Sequence, residues 1–584
     1  MRRAKIVCTL GPASDDRATI RELADAGMSV ARLNASHGTH EDRAALIERV
    51  HAVDAATDDP LSVMLDLQGP EVRTAPLDEP IHLAADSAVR FVEGDAATPE
   101  EIGLSYALGA VDPDDRVLLD DGRIETRVTA VDGDTVTARV VSGGELGGRK
   151  GVNVPGVDLD LDVVTERDRR DIEVAVEGGA DFVAASFVRD AADVLAVTDA
   201  IENAGGDIPV VSKIERAGAV DNVDGIVAAS YGVMVARGDL GVECPLEDVP
   251  MIQKRIIGTA QDAGVPVITA TEMLDSMVSA RRPTRAEASD VANAVLDGTD
   301  AVMLSGETAI GDHPVRVVET MDRIVREVEE SAEYGETTEG RVPAAAEGSQ
   351  TEALARAARY LARDLGATAI VAVSESGYTA RSTAKFRPSV PVVATTPRDW
   401  VRRQLALSWG VDAQYAAYRE DIEGMIDAAV DAAIDAGAAE SGDTVVVLTG
   451  MMTELEGTNT TNTLKVHVAS ETVATGRNVV SGRVAGPVFR CPDGDLSDAP
   501  DGAIVVLPAT FDGQFAGDTG RIGGIVDARP GMTSYAAVIA RERGVPMVSG
   551  APLPDDVVDG TTVTINADRG VVYEGDVTPR EHKR

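Results

Sequence analysis

The chain has 584 residues, 44% of them apolar, more than a single hydrophobic core organises, so two to four domains are expected. Its 54 basic and 98 acidic side chains leave a net charge of −44, a surface that repels nucleic acid and, at low salt, strains its own fold. No apolar run reaches the ~20 residues that span a bilayer, and Cys8, Cys244 and Cys491 have neither disulfide nor zinc spacing, so a cytoplasmic protein with free thiols and no membrane partner is expected.

In chain order, the first two thirds repeat a short β-branched run, a few polar residues and a helical stretch, the signature of a parallel sheet wound with helices. Candidate strands are 5–10 (KIVCTL), 29–36 (SVARLNAS), 62–69 (SVMLDLQG), 182–187 (FVAASF), 209–215 (PVVSKIE), 231–239 (YGVMVARGD), 266–273 (PVITATEM) and 301–308 (AVMLSGET). They predict a closed (β/α)8 TIM barrel over 1–73 and 157–335. Between its third and fourth strands, residues 74–156 alternate short strands such as TRVTAV and TVTARV with Gly/Asp turns, which reads as an inserted all-β domain. The stretch 335–350 (GETTEGRVPAAAEGSQ) reads as a linker ending the last barrel helix. Residues 350–470 alternate helices with strands (AIVAVS, PVVATTP, TVVVLTG), predicting an α/β domain, and 479–584 carry strands of their own (AIVVLPA, TVTINA).

In a barrel of this kind, polar residues at the C-terminal strand ends carry the chemistry, because the strand interiors must pack. Those ends here hold Arg32, Asn34 and Ser36; Asp66, Glu71 and Arg73; Lys213 and Glu215; Gly238 and Asp239; Thr271; Ser305 and Glu307. Lys213 and Glu215 are two apart on a strand and face the same side. With Asp239 from the next strand, two carboxylates are placed to hold a hard divalent ion beside an ammonium, the equipment of phosphoryl transfer; the plain alternative is a salt bridge at a strand end. Asn34, Ser36 and Asp66 form an oxygen-rich set with one negative charge, suited to a monovalent cation, although the spacing alone favours a hydrogen-bonded turn.

These segments resemble the pyruvate kinase family: KIVCTLGPAS, VARLNASHGTH, LDLQGPEVRT, RKGVNVPG, SKIER, MVARGDLG, TATEMLDSM, RPTRAEASDVANAVLDGTDAVMLSGETA and SGYTARSTAKFRP stand in that family's order over roughly residues 1–470. The resemblance implies that Arg32 binds the phosphate of phosphoenolpyruvate, that Lys213 stabilises the phosphoryl group in transit to ADP, and that Glu215 and Asp239 hold Mg2+. It further implies that Gly238 and Thr271 contact substrate, Thr271 near the site of enolate protonation that yields pyruvate, and that Arg73 and Lys150 bind nucleotide phosphates, the inserted domain acting as a lid. Asn34, Ser36, Asp66 and the carbonyl of Leu67 would coordinate K+, with Glu71 marking K+ dependence. A homotetramer follows from the same resemblance. At about 1 M salt the Debye length is about 3 Å, so the chain's self-repulsion would be screened in a salt-rich, K+-rich cytoplasm.

The sequence departs from the family at Leu67 and Gln68, where Thr and Lys are usual, and at Tyr231, where Asp is usual. SESGYTA resembles a loop for a phosphorylated allosteric effector, but Glu375 stands where a phosphate-binding Lys can occur. The last unit, 479–584, resembles the mobile phosphohistidine domain of phosphoenolpyruvate-utilising enzymes through GGIVDARPGMTSYAAVIARERGVPMVSG, with Tyr535 at the histidine position, which implies a structural or regulatory role. Two other readings remain at this stage: a Mg2+-dependent barrel lyase acting on a pyruvate enolate, and a metabolite sensor without catalysis.

Overall fold

The computed structural model describes residues 2–417, 419, 421–450, 461–470 and 472–577; of the two C-terminal domains expected above, 451–460 and 578–584 lie outside this set. The chain divides into two compact units, one holding the residues up to Arg356 together with Ser374–Tyr415, the other Ala357–Val373 and the described residues from Ala416 onward.

The first unit is built on the closed eight-stranded barrel expected from sequence. Its strands, first to eighth, are Lys5–Thr9, Val30–Asn34, Ser62–Asp66, Phe182–Ala185, Val210–Ile214, Gly232–Ala236, Val267–Ala270 and Ala301–Leu304. Neighbours pair in parallel, with Thr9 opposite Arg32 and Asn34 opposite Asp66 at the C-terminal ends. Alternate residues face the two sides of a strand. Val7, Val30, Met64, Phe182, Ala184, Val211, Met234 and Ile268 fill the interior, and the opposite parity, such as Ile6, Cys8, Leu33, Leu65 and Ile214, packs under the helices.

Several strands are shorter than their sequence signals. The run 231–239 stops at Ala236 and turns into the helix Arg237–Glu243; 266–273 stops at Ala270, because Thr271 (φ 83) and Glu272 (φ 49) lie in the left-handed region, which cannot continue a strand. The expected linker also begins as a helix, Ala332–Gly340, capped by Ser331 and pinned by buried Tyr334. Between the third and fourth barrel strands sits a seven-stranded sheet with a two-stranded companion; its edge strand Val72–Arg73 pairs with Gly151–Asn153, so the chain leaves and re-enters the barrel side by side. The first unit also contains the parallel pair Val392–Thr396 and Val411–Tyr415.

In the second unit, Ala369–Val373 pairs in parallel with Thr444–Thr449, which pairs antiparallel with Thr463–Val468. An eight-stranded mixed sheet, running from Thr472–Thr475 to Val571–Glu574 in the chain, completes it, with the helix Tyr535–Arg543 on its core. No helix among the described residues is long and apolar enough to cross a membrane.

Trp409, 1% exposed, donates from Nε1 to Tyr334 Oη at 3.0 Å and lies against the Arg387 guanidinium, 4.7 Å from the ring centre. Tyr334→Phe strands that buried donor, and is expected to destabilise the protein by about 1–3 kcal/mol, measured as a lower urea midpoint in tryptophan fluorescence.

Candidate active site

The parity that puts Val7, Val30, Met64, Ala184 and Val211 inside the barrel puts Thr9, Arg32, Asp66, Ser186 and Lys213 on the same side two residues later, at the top of the core. Their contacts agree. Arg32 donates from Nε to Asp66 Oδ2 (2.6 Å) and from Nη1 to Thr9 Oγ1 (2.8 Å). Lys213 Nζ donates to Ser186 Oγ (2.9 Å), which donates to the Leu67 carbonyl (2.7 Å). The same ammonium lies 2.7 Å from Glu215 Oε1 and 3.5 Å from Asp66 Oδ1. Glu215 Oε2 accepts the Phe187 N–H at 2.7 Å.

Burial opposes the charge on Lys213, but Asp66, Glu215 and Asp239 outweigh it and hold the ammonium above the ordinary lysine pKa. Asp66 is likewise buried, yet Arg32 and Lys213 keep it below the usual carboxylate range. Glu215 is pushed up to about 7, by burial first and by Asp239 in addition, against the pull of Lys213. Asp239 is raised by burial and by the neighbouring Asp121, Glu71 and Asp66 carboxylates. The site thus holds more negative charge than its own cations balance.

Asp239 sits in the first turn of the helix Arg237–Glu243 rather than on a strand, and Gly238 precedes it. A Cβ on Gly238 would lie 2.8 Å from Thr271 Cγ2, so only glycine allows this approach. Consecutive positive φ values at Thr271 and Glu272 store of order 1–3 kcal/mol each. Arg237 supports that segment: it donates to the carbonyls of Ala270 (3.2 Å) and Thr271 (2.9 Å) and pairs with Asp290 (2.7 Å).

The two cations expected at the nucleotide are held by carboxylates. Arg73 donates to Glu71 Oε2 (3.0 and 2.6 Å) and to the Arg149 carbonyl, while Lys150 pairs with Asp120 at 2.8 Å. At the proposed monovalent site, Asn34 Oδ1 accepts the Ser36 N–H (3.0 Å), forming the turn that the spacing also allowed. Asp66 Oδ1 is buried and lies 3.5 Å from the Lys213 ammonium, which leaves it able to accept a further cation. Among the described residues no three His, Cys, Asp or Glu side chains converge as a metal cage. Asp239 raises Glu215, so the two carboxylates are close enough to interact, and they could hold an ion such as Mg2+, which takes one or two carboxylates and fills its shell with water and substrate oxygens.

Thr9, Ser186 and Arg237 were not singled out from sequence. The first two share the parity of Arg32 and Lys213 and could have been found by it; Arg237 had no signal beyond its place beside Gly238. Elsewhere, Glu375 pairs with Arg398, and Tyr231, in place of the usual Asp, stacks on the Arg381 guanidinium (4.3 Å) and meets Phe182 (5.3 Å). Tyr535 is the first residue of its helix, 38% exposed, its ring 6.1 Å from Phe515.

A parallel barrel whose mouth gathers a largely buried lysine, an arginine and three acidic side chains, Asp66, Glu215 and Asp239, has the machinery of a phosphoryl-transfer enzyme. The comparisons with known proteins are more specific. The family model for the pyruvate kinase barrel domain matches residues 1–318, that for the pyruvate kinase alpha/beta domain 352–467, and that for the mobile domain of PEP-utilising enzymes 499–570. Pyruvate kinases of Bacillus licheniformis (39% identical over 585 residues), Geobacillus stearothermophilus (40% over 592) and Sporosarcina psychrophila (39% over 590) each align with 98% of this chain and 99% of their own length. The chain belongs to the pyruvate kinase family.

Gly238→Ala tests the approach of Gly238 to Thr271. The alanine suits the helix but displaces Thr271, so Tm is expected to hold while kcat falls by up to about 100-fold, read in paired melting and steady-state assays.

Proposed function

We propose that this protein transfers the phosphoryl group of phosphoenolpyruvate to ADP, giving pyruvate and ATP, with Mg2+ and K+ as activating ions. The observation that carries the reading is the Lys213 ammonium, 13% exposed, set between Glu215 and Asp66 with Arg32 fixed beside it. Arg32, locked by Asp66 and Thr9, presents its remaining N–H groups to the substrate phosphate. Lys213 follows the phosphoryl group, its charge offsetting that on the three equatorial oxygens as the bond to the enol oxygen breaks and the bond to the ADP oxygen forms. Glu215 and Asp239 would hold Mg2+; Asn34, Ser36, Asp66 and the Leu67 carbonyl would hold K+. Bound there, the ions would neutralise phosphoryl and phosphate oxygens and fix the substrates' orientation.

Gly238 leaves room for the Thr271 side chain and for substrate beside it. The enolate left behind takes a proton at carbon through water ordered by the Thr271 hydroxyl, since a hydroxyl is itself a weak acid. Arg73 and Lys150 are already placed; binding ADP exchanges the Glu71 and Asp120 carboxylates for phosphate oxygens, as the inserted domain closes over the barrel mouth. The ion pair Glu375–Arg398 fills the effector loop from within, which disfavours a strongly anionic effector there. Tyr535 gives the last domain a structural or regulatory role. A cytoplasmic homotetramer in a salt-rich cell completes the proposal.

Two experiments test it. Lys213→Met is expected to lower kcat by about 10^3, and replacing KCl by NaCl at constant ionic strength to lower the rate of the unmodified enzyme. ADP-independent release of pyruvate would indicate a lyase instead. Separately, a Glu215 pKa near 7 means that a divalent ion must displace a proton below that pH. The apparent Mg2+ affinity, measured by calorimetry without substrate, is expected to rise by up to about tenfold per pH unit from pH 5.5 to about 7 and then level off. In metal-free protein the raised pKa works the other way: the fold binds the proton more tightly than the unfolded chain, so stability falls as pH climbs through this window.

A further inference from the structure

The helix Glu166–Gly178 follows the inserted domain, and its first two turns reach both loops assigned above to the monovalent cation. Arg167 Nη2 donates to the Ala35 carbonyl at 2.6 Å. Asp168 Oδ1 accepts the Gly69 N–H at 3.1 Å, just past Leu67. Asp171, whose side chain is fully buried, places Oδ1 2.5 Å from Arg43 Nη2 and 3.3 Å from His40 Nε2, and Oδ2 4.0 Å from Arg167 Nε. Arg43, 4% exposed, spends Nη1 on the carbonyls of His37 (2.8 Å) and Gly38 (3.3 Å). A carboxylate buried this completely persists only when paired, and the partners of this one hold the backbone of the loop that carries Asn34 and Ser36.

We propose that Asp171 is a positioning residue for the monovalent-cation site, acting through Arg43 and Arg167 to fix the 34–38 loop at the spacing that selects K+. The inference rests on the cation reading in the preceding section. The loop needs such support: Gly38 has φ 73, and its other ties are the Ala35 N–H to the Asp66 carbonyl (2.8 Å) and the Asn34 turn. A cation that discriminates by cavity size feels small changes in oxygen spacing, and groups that hold ligating loops commonly change metal affinity by about 10–100-fold. Thr165 caps the helix, donating to Asp168 and accepting its N–H, so the two loops, of the second and third barrel strands, are referred to one rigid element.

The test uses the full-length protein and two readouts of K+: the rise of Tm with KCl in the absence of substrates, balanced with choline chloride, and the K+ dependence of the initial rate. Asp171→Asn keeps shape and removes charge; Arg43→Gln breaks the same link from the other side; Asp54→Asn removes a buried carboxylate at the opposite end of the helix His40–Asp54 as a control. Expected is a K+ midpoint raised about tenfold or more in the first two variants by both readouts, kcat at saturating K+ retained within a few-fold, and an unmoved midpoint in Asp54→Asn. If Asp171→Asn does not fold, Arg43→Gln decides. An unchanged midpoint in the variants that fold, or an equal shift in the control, overturns the proposal. An unmodified enzyme with no K+ midpoint by either readout overturns the cation reading itself, and this proposal with it.

Discussion

The structure turns on one ammonium. Lys213 is largely buried at the top of the barrel, where desolvation pulls its pKa down, and Asp66, Glu215 and Asp239 together hold it above the ordinary lysine value. Such a cluster is expensive to bury and more expensive to break, since removing one partner leaves uncompensated charge in a dry site, a loss of about 3–5 kcal/mol. That constraint explains the neighbours. Arg32 must balance Asp66, Thr9 must orient Arg32, and Ser186 must give Lys213 a neutral partner, so the last inward layer of the barrel is polar while the layers beneath it are Val, Met, Phe and Ile.

Net negative charge at the mouth then sets the chemistry. Asp239 raises Glu215 and is itself raised by Asp121 of the inserted domain, Glu71 and Asp66, while Lys213 pulls both the other way. The arrangement is poised for added cations and for phosphates that carry them. The side chains of Arg73 and Lys150 are ordered by Glu71 and Asp120, so an anionic ligand that bound them would replace one anion by another rather than order a free side chain, with less entropy lost.

How much of this was written in the sequence depends on the range of the interaction. The barrel was legible because it follows from hydrophobic parity within each strand, and Lys213 with Glu215 because a spacing of two fixes their side. Where the backbone breaks its period, legibility stops: Asp239 was read on a strand and lies in a helix, and the turn after Ala270 gave no warning of two successive left-handed residues. Pairings between distant segments were also hidden. Nothing in RKGVN announces that Lys150 meets Asp120, and nothing in the helix 166–178 announces that Arg167, Asp168 and Asp171 serve loops more than ninety residues earlier. The stretch 335–350 reads as linker because its composition is polar, whereas its first residues, to Gly340, belong to the helix Ala332–Gly340, held in place by Tyr334 buried against Trp409.

The second unit follows a different constraint. In a domain that carries phosphoryl groups, the nucleophile sits at a helix N-terminus, where the dipole stabilises the added charge; here that position is occupied by Tyr535, its ring packed toward Phe515. The sheet around it is also fastened to the α/β strands. Val468 clusters with Tyr573 and Val577, the Ser470 hydroxyl donates to the Glu574 carbonyl at 2.9 Å, and Gly442 is so close to Val577 that a Cβ would lie 2.9 Å from its backbone. A carrier needs both a nucleophile and freedom to travel. Here the helix terminus begins with a tyrosine and the sheet is tied to Thr463–Val468, an arrangement better suited to a fixed element than to a travelling carrier.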